Sequence, residues 1–244
     1  MKRKNLLIKL LVVMALLLIP VGAFADESLS AKAYSAIASI KTKGKTLAGE
    51  KIVCMGDSIT EGVGGIKLGE GEYISYTDYL AQLSGAQVIN LGIGGTTIGN
   101  YWDENAMVLR LDTIPRDATT IIFWGGANDF FTGSKNKDAY INDTNTVFSY
   151  LKNNFPDAKI YIVTTYENKM ENWETFGEND FAFYMNYQKE LAQNYGFKVI
   201  DFYYNDVFDQ TNEENKEYFY DDIHPNDLGN KFLAKYLFMK LTQE

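Results

Sequence analysis

Apolar positions along the chain follow two spacings. Short continuous runs at Ile52–Met55, Val88–Leu91, Ile121–Trp124, Ile160–Thr165 and Val199–Phe202 are rich in β-branched and aromatic residues and read as strands. Between them, apolar residues recur three and four positions apart over Ile74–Ser84, Tyr101–Leu111, Ala139–Asn153 and Phe181–Tyr195, with a last such stretch at Asp227–Leu241. That spacing predicts helices. Apolar strands alternating with helices indicate a parallel sheet buried on both faces with right-handed crossovers, so residues 51–244 are expected to form one three-layer α/β/α domain. In such a sheet the ligand site lies beyond the carboxyl ends of the strands.

The first 50 residues follow a different pattern. Met1-Lys2-Arg3-Lys4 precedes the uncharged run Leu10–Ile19, then Pro20, Gly22 and Ala23-Phe24-Ala25, which predicts a secretory signal peptide over residues 1–25 with cleavage after Ala25 and an extracellular protein. The alternative is a membrane anchor. Leu10–Ala25 falls short of the roughly 20 apolar residues that span a bilayer, so no stable membrane association is expected after cleavage. Residues 26–50 are small and polar, with Leu29, Ala33, Ile37 and Ile40 at helical spacing, and read as a short helix or tether.

Charge and composition narrow the chemistry. The net charge is −9 and no basic cluster lies outside the first nine residues, which argues against a nucleic-acid partner. Cys54 is the single cysteine, so no disulfide can form within the chain; its apolar surroundings mark it as a small buried hydrophobe. His224 is the single histidine, which excludes any site needing two imidazoles.

Four polar, glycine-rich segments remain: Gly56–Gly62, Asn90–Thr97, Gly125–Asp129 and Asp221–Pro225. The first three directly follow predicted strands. Ser58 comes just after strand one, at a turn that Gly56 permits, which is where a nucleophile would stand. A serine hydroxyl needs an adjacent base, and His224 is the one imidazole available. Asp221, three residues earlier, can accept from one ring nitrogen and leave the other facing Ser58. Asp222 competes for that role, although adjacent side chains diverge. Pro225 excludes helix at His224, and Asn226 can cap the helix that follows. The Ser58 N–H, the Gly95 N–H and the Asn128 amide can serve as oxyanion donors. Asp57 and Asp129 are expected to hold loop amides rather than transfer protons.

These blocks together resemble the SGNH (GDSL-type) hydrolase family. Ser58 lies in Gly-Asp-Ser-Ile-Thr-Glu-Gly, Gly95 in Asn-x-Gly-x-Gly-Gly-x-Thr, Asn128 in Gly-x-Asn-Asp, and Asp221 and His224 in Asp-x-x-His-Pro; the likeness runs from about Lys51 to Leu241. It implies a flavodoxin-like five-stranded sheet and acyl-ester hydrolysis. In the second block Gly94 is the alternative donor to Gly95, and in the third Ala127 stands where glycine is common. The Gly-x-Ser-x-Gly elbow of larger hydrolases is absent, because Thr60 occupies the last glycine position.

No metal or organic cofactor is called for. The expected partner is a small-molecule or polysaccharide acyl ester, with short O-acetyl groups on carbohydrate favoured over the longer chains of a lipase or lysophospholipase. A non-catalytic carbohydrate-binding protein on the same fold is the reading from another class. Trp102, Trp173 and Phe176 lie in or near loops at the same sheet edge and are candidate substrate contacts. Gly62–Gly71, with five glycines, reads as a rim or surface excursion.

Overall fold

The computed structural model describes residues 45–99, 104–131, 137–168, 181–205 and 207–243. The predicted signal peptide 1–25 and the tether positions Leu29 to Ile40 lie outside them. Lys45–Glu50, the described end of the tether, contains a turn and no helix.

Five parallel strands form the central sheet: β1 (Lys51–Gly56), β4 (Gln87–Gly92), β5 (Thr120–Trp124), β6 (Lys159–Thr164) and β7 (Lys198–Asp201). Their order across the sheet is β4-β1-β5-β6-β7, with Cys54 opposite both Asn90 and Ile122. Every residue of β5 is buried, and β1 is buried after Lys51, whereas the edge strands are only partly so. The continuous apolar runs in the sequence are the mark of strands covered on both faces. Alternate residues serve opposite cores. Ile52 and Cys54 pack with Trp124, Phe202, Phe232 and Leu237, while Val53 and Met55 pack with Phe123, Phe148, Ile162 and Tyr184.

The helices are α1 (Ser58–Glu61), α2 (Tyr76–Ser84), α3 (Ala127–Phe131), α4 (Lys137–Asn154), α5 (Phe181–Asn194) and α6 (Asp227–Leu241). Ser75 and Asp78 form a capping box at the start of α2, so that helix begins two residues later than its apolar spacing suggests. Asn226 caps α6 through the Leu228 and Gly229 N–H groups, directly after Pro225.

One expectation is corrected. Tyr101–Leu111 is not a helix: its described part holds two short 3₁₀ turns, Met107–Leu109 and Leu111–Thr113. There the Met107 and Val108 N–H groups bond to the carbonyls of Thr97 and Ile98, a pairing that continuous helix would not leave open. The glycine-rich Gly62–Gly71 stretch contains strand β2 (Ile66–Gly69), mostly exposed and paired antiparallel with β3 (Glu72–Ile74).

Strand order reverses at β1, since the chain passes from β1 to β4 on one side and then to β5 on the other. The crevice beyond the ends of β1 and β5 is therefore the switch point where such sheets bind ligands. On one flank, buried Asn230 of α6 accepts from the Tyr76 N–H at 2.8 Å and donates to the carbonyls of Pro225 and Asn226 at 3.1 and 3.0 Å. It ties α6 and its entry loop to α2. Asn230→Ala strands two buried backbone groups, the Tyr76 N–H and the Pro225 carbonyl, while the Asn226 carbonyl keeps its bond from the Asn230 N–H; it is expected to cost about 2–4 kcal/mol in urea unfolding, and a loss below about 0.5 kcal/mol would show that the tie is not needed.

Candidate active site

The first site loop is built by close contact. A side chain on Gly56 would lie 2.1 Å from Thr60 Oγ1 and 2.7 Å from the Trp124 carbonyl, so glycine at the end of β1 lets α1 fold back against β5. Steric room, rather than an unusual backbone angle, is what this glycine supplies. Asp57 then caps α1, accepting from the Ile59 N–H at 3.1 Å. Ser58 follows as the first helical residue, and Gly62 ends the turn at φ 102°, donating its N–H to the Ser58 carbonyl.

The His224 loop is held from several sides. The Tyr220 N–H donates to the His224 carbonyl at 2.8 Å, the Tyr166 hydroxyl to the Ile223 carbonyl at 2.5 Å, and Phe219 bridges to Pro225. Asp221 Oδ1 accepts from the Ile223 and His224 N–H groups at 2.9 and 2.7 Å. Its other oxygen lies 2.8 Å from His224 Nδ1, and His224 Nε2 lies 2.9 Å from Ser58 Oγ. The structure thus brings Ser58, His224 and Asp221 into one hydrogen-bonded line. Asp222 is exposed and makes no hydrogen bond among the described residues. Partial burial alone would raise the Asp221 carboxyl, but the His224 and Ile223 donors outweigh it and hold it below the ordinary value. It is suited to orient the ring as a carboxylate.

Gly95 and Asn128 meet at the second and third loops. Gly95 turns at φ 75° with open space where a side chain would project, and Asn128 Nδ2 donates to the neighbouring Thr96 carbonyl at 3.0 Å. Asp129 is buried and accepts from the Ile98 and Gly99 N–H groups at 2.9 and 3.2 Å. Both Asp57 and Asp129 therefore hold loop amides. Cys54 is buried, and burial pushes its thiol up to about 12, which suits a core residue and not a nucleophile. Among the described residues no three His, Cys, Asp or Glu side chains group as a metal site would require. Trp102, Trp173 and Phe176 lie outside the described residues.

The family profile of GDSL-like lipases and acylhydrolases matches residues 54–232, well over half of the chain. The chain belongs to this family. As a GDSL acylhydrolase it is assigned to the ester hydrolases. A structure from Lactobacillus plantarum is 24% identical and covers 80% of this chain and 98% of its own, with a TM-score of 0.67. An acetyl-xylooligosaccharide esterase from Geobacillus is 21% identical, with coverages of 81% and 95% and a TM-score of 0.55. A family two carbohydrate esterase from Clostridium thermocellum, solved with cellohexaose, is 18% identical, with coverages of 80% and 64% and a TM-score of 0.59. These likenesses establish the shared fold. A search of curated protein sequences gave no significant match.

Arg110 was not singled out by any sequence pattern. Its guanidinium donates to the carbonyl of Leu91, at 2.8 Å to that of Gly56, at 3.3 Å to Thr96 Oγ1 and at 2.9 Å to the Asn105 carbonyl. One side chain therefore joins the ends of β1 and β4 to the Gly95–Thr96 turn, which Asn128 holds from the other side. Only a rigid fork of donors can reach several acceptors in this way. Arg110→Met in this hydrolase is expected to lower kcat for ester hydrolysis about ten- to hundred-fold with little change in KM. An unchanged kcat in the folded variant would refute the positioning role.

Asp57 leads to a pH effect. Burial pushes its carboxyl from 3.8 up to about 6, despite the Ile59 N–H, the ring of His224 and the charge of Arg110, which all favour ionisation. The folded state binds this proton more tightly than the unfolded chain does. The resulting stability is full below the ordinary value and is lost as pH rises through about 6. The difference amounts to about 3 kcal/mol. Asp57→Asn keeps an acceptor for Ile59 and cannot ionise, so its melting temperature is expected to fall less than the wild type's between about pH 4 and 7; parallel curves would refute this.

Proposed function

We propose that this GDSL acylhydrolase is a secreted serine esterase that removes short acyl groups, above all O-acetyl, from carbohydrate. The observation that carries the reading is the continuous line from Asp221 through His224 to Ser58 Oγ. Ser58 Oγ attacks the ester carbonyl carbon while its proton passes to His224 Nε2, and the Asp221 carboxylate faces the imidazolium that forms. The oxyanion is held by the Ser58 N–H, the Gly95 N–H and the Asn128 amide. As first amide of α1, the Ser58 N–H has no acceptor within its own helix.

Collapse of the intermediate breaks the bond to the alcohol oxygen, which takes the proton back from His224. Water then attacks the acyl-enzyme, gives its proton to the same nitrogen and releases the acid as Ser58 regains its hydrogen. Every proton is shuttled by one imidazole.

Support for a carbohydrate substrate comes from the acetyl-xylooligosaccharide and family two carbohydrate esterases that share the fold. In this reading Trp102, Trp173 and Phe176 pack against the sugar, and secretion rests on the leader Met1–Ala25. The test is hydrolysis of p-nitrophenyl acetate and octanoate by the chain from Asp26 onward, with Ser58→Ala as the blank. Acetate is expected to be the better ester, and Ser58→Ala to lose at least about a thousand-fold in kcat. Preference for octanoate would favour a lipase, and absence of any Ser58-dependent rate would point to the binding protein.

A further inference from the structure

Glu61 closes α1, one turn beyond Ser58, and packs against the second site loop. A side-chain carbon on Gly94 would lie 2.5 Å from Glu61 Oε2 and 3.7 Å from Ser58 Cβ. The acid and the nucleophile therefore flank the same glycine, separated by no more than those two distances laid end to end. Glycine at position 94 is what allows the carboxylate to rest on this loop. The loop itself is open, for Ile93, Gly94 and Gly95 are all exposed.

Other carboxylates at the site are held by protein donors: Asp57 by Ile59, Asp129 by Ile98 and Gly99, Asp221 by Ile223 and His224. Glu61 is partly buried, and its carboxylate has no hydrogen bond or ion pair among the described residues. Water satisfies such a group in the free protein. A substrate that displaces this water must bring donors of its own, or leave a charge unsatisfied against its surface.

We infer that Glu61 is a specificity-determining residue, whose carboxylate accepts hydrogen bonds from free hydroxyl groups on the alcohol half of the ester. The inference rests on the esterase reading and narrows it. The acyl part of an acetate is a methyl group with nothing to donate, so the donors come from the alcohol. A sugar carries hydroxyls beside the acylated one. A hydrocarbon alcohol has none and meets an unpaired charge, the kind of mismatch by which polar sites reject apolar analogues.

The experiment compares kcat/KM for an acetylated xylo-oligosaccharide, p-nitrophenyl acetate and acetylcholine in the wild-type chain, Glu61→Leu and Glu61→Gln, with thermal melts confirming that each is folded. Glu61→Leu is expected to lower the ratio of oligosaccharide to p-nitrophenyl acetate turnover about ten-fold or more. Glu61→Gln keeps a neutral acceptor and is expected to retain most of that ratio. A parallel fall of both esters in Glu61→Leu would mean that the residue supports the loop and not the alcohol, and overturns the proposal. So would wild-type preference for acetylcholine abolished equally by both substitutions, which is the behaviour of a cation site. Absence of Ser58-dependent turnover in the wild type would fell the esterase reading itself, a result distinct from either of these.

Discussion

A hydrogen bond between residues 166 positions apart, from Ser58 to His224, is what the rest of the molecule is arranged to hold. Ser58 opens the four-residue helix α1 and His224 sits on a loop, and neither short segment alone can fix an atom to within a hydrogen bond's tolerance. Ser58 is fixed by the Asp57 cap below it and by Asn90, which donates to the Thr60 carbonyl at 2.8 Å and ties α1 to β4. His224 is fixed by Asp221, Tyr166 and the Phe219–Pro225 bridge. The two sides are then joined through Asn230 and the α2–α6 contact, so the positioning is done by packed elements on which the loops lean.

Electrostatics at the site divides along the same line. Asp221, partly exposed and met by several donors, is held as a carboxylate beside the imidazole. Asp57, wholly buried and next to Ser58, is driven the other way by desolvation. Two acids within four residues of Ser58 and His224 thus differ because water reaches one and not the other. The buried one caps the helix that Ser58 opens, a structural task in which burial makes charge costly.

What the sequence made legible follows from local rules. The five apolar runs became the five sheet strands, and the Asp227–Leu241 spacing matched its helix end to end because Asn226 and Pro225 mark the start. Ser58, Asp221 and His224 could be read because chemistry restricts which residue types can serve, and this chain has only one histidine. Arg110 was invisible, since its acceptors are mostly backbone carbonyls and a carbonyl leaves no trace in residue identity. The Tyr101–Leu111 misreading has the same origin: its apolar spacing is real, but its backbone donors are taken by Thr97 and Ile98. Glu61 reads as an ordinary surface acid until Gly94 is seen beside it.

Ser58 comes just after the first strand of the sheet, at the start of α1, and His224 from the loop just before the last helix. Every crossover of the fold lies between them. A chain in which α6 has not yet docked can possess a complete Ser58 loop and still have no base within reach of it. On the proposed mechanism, ester hydrolysis therefore needs the finished topology, and its appearance during refolding would report that α6 has docked.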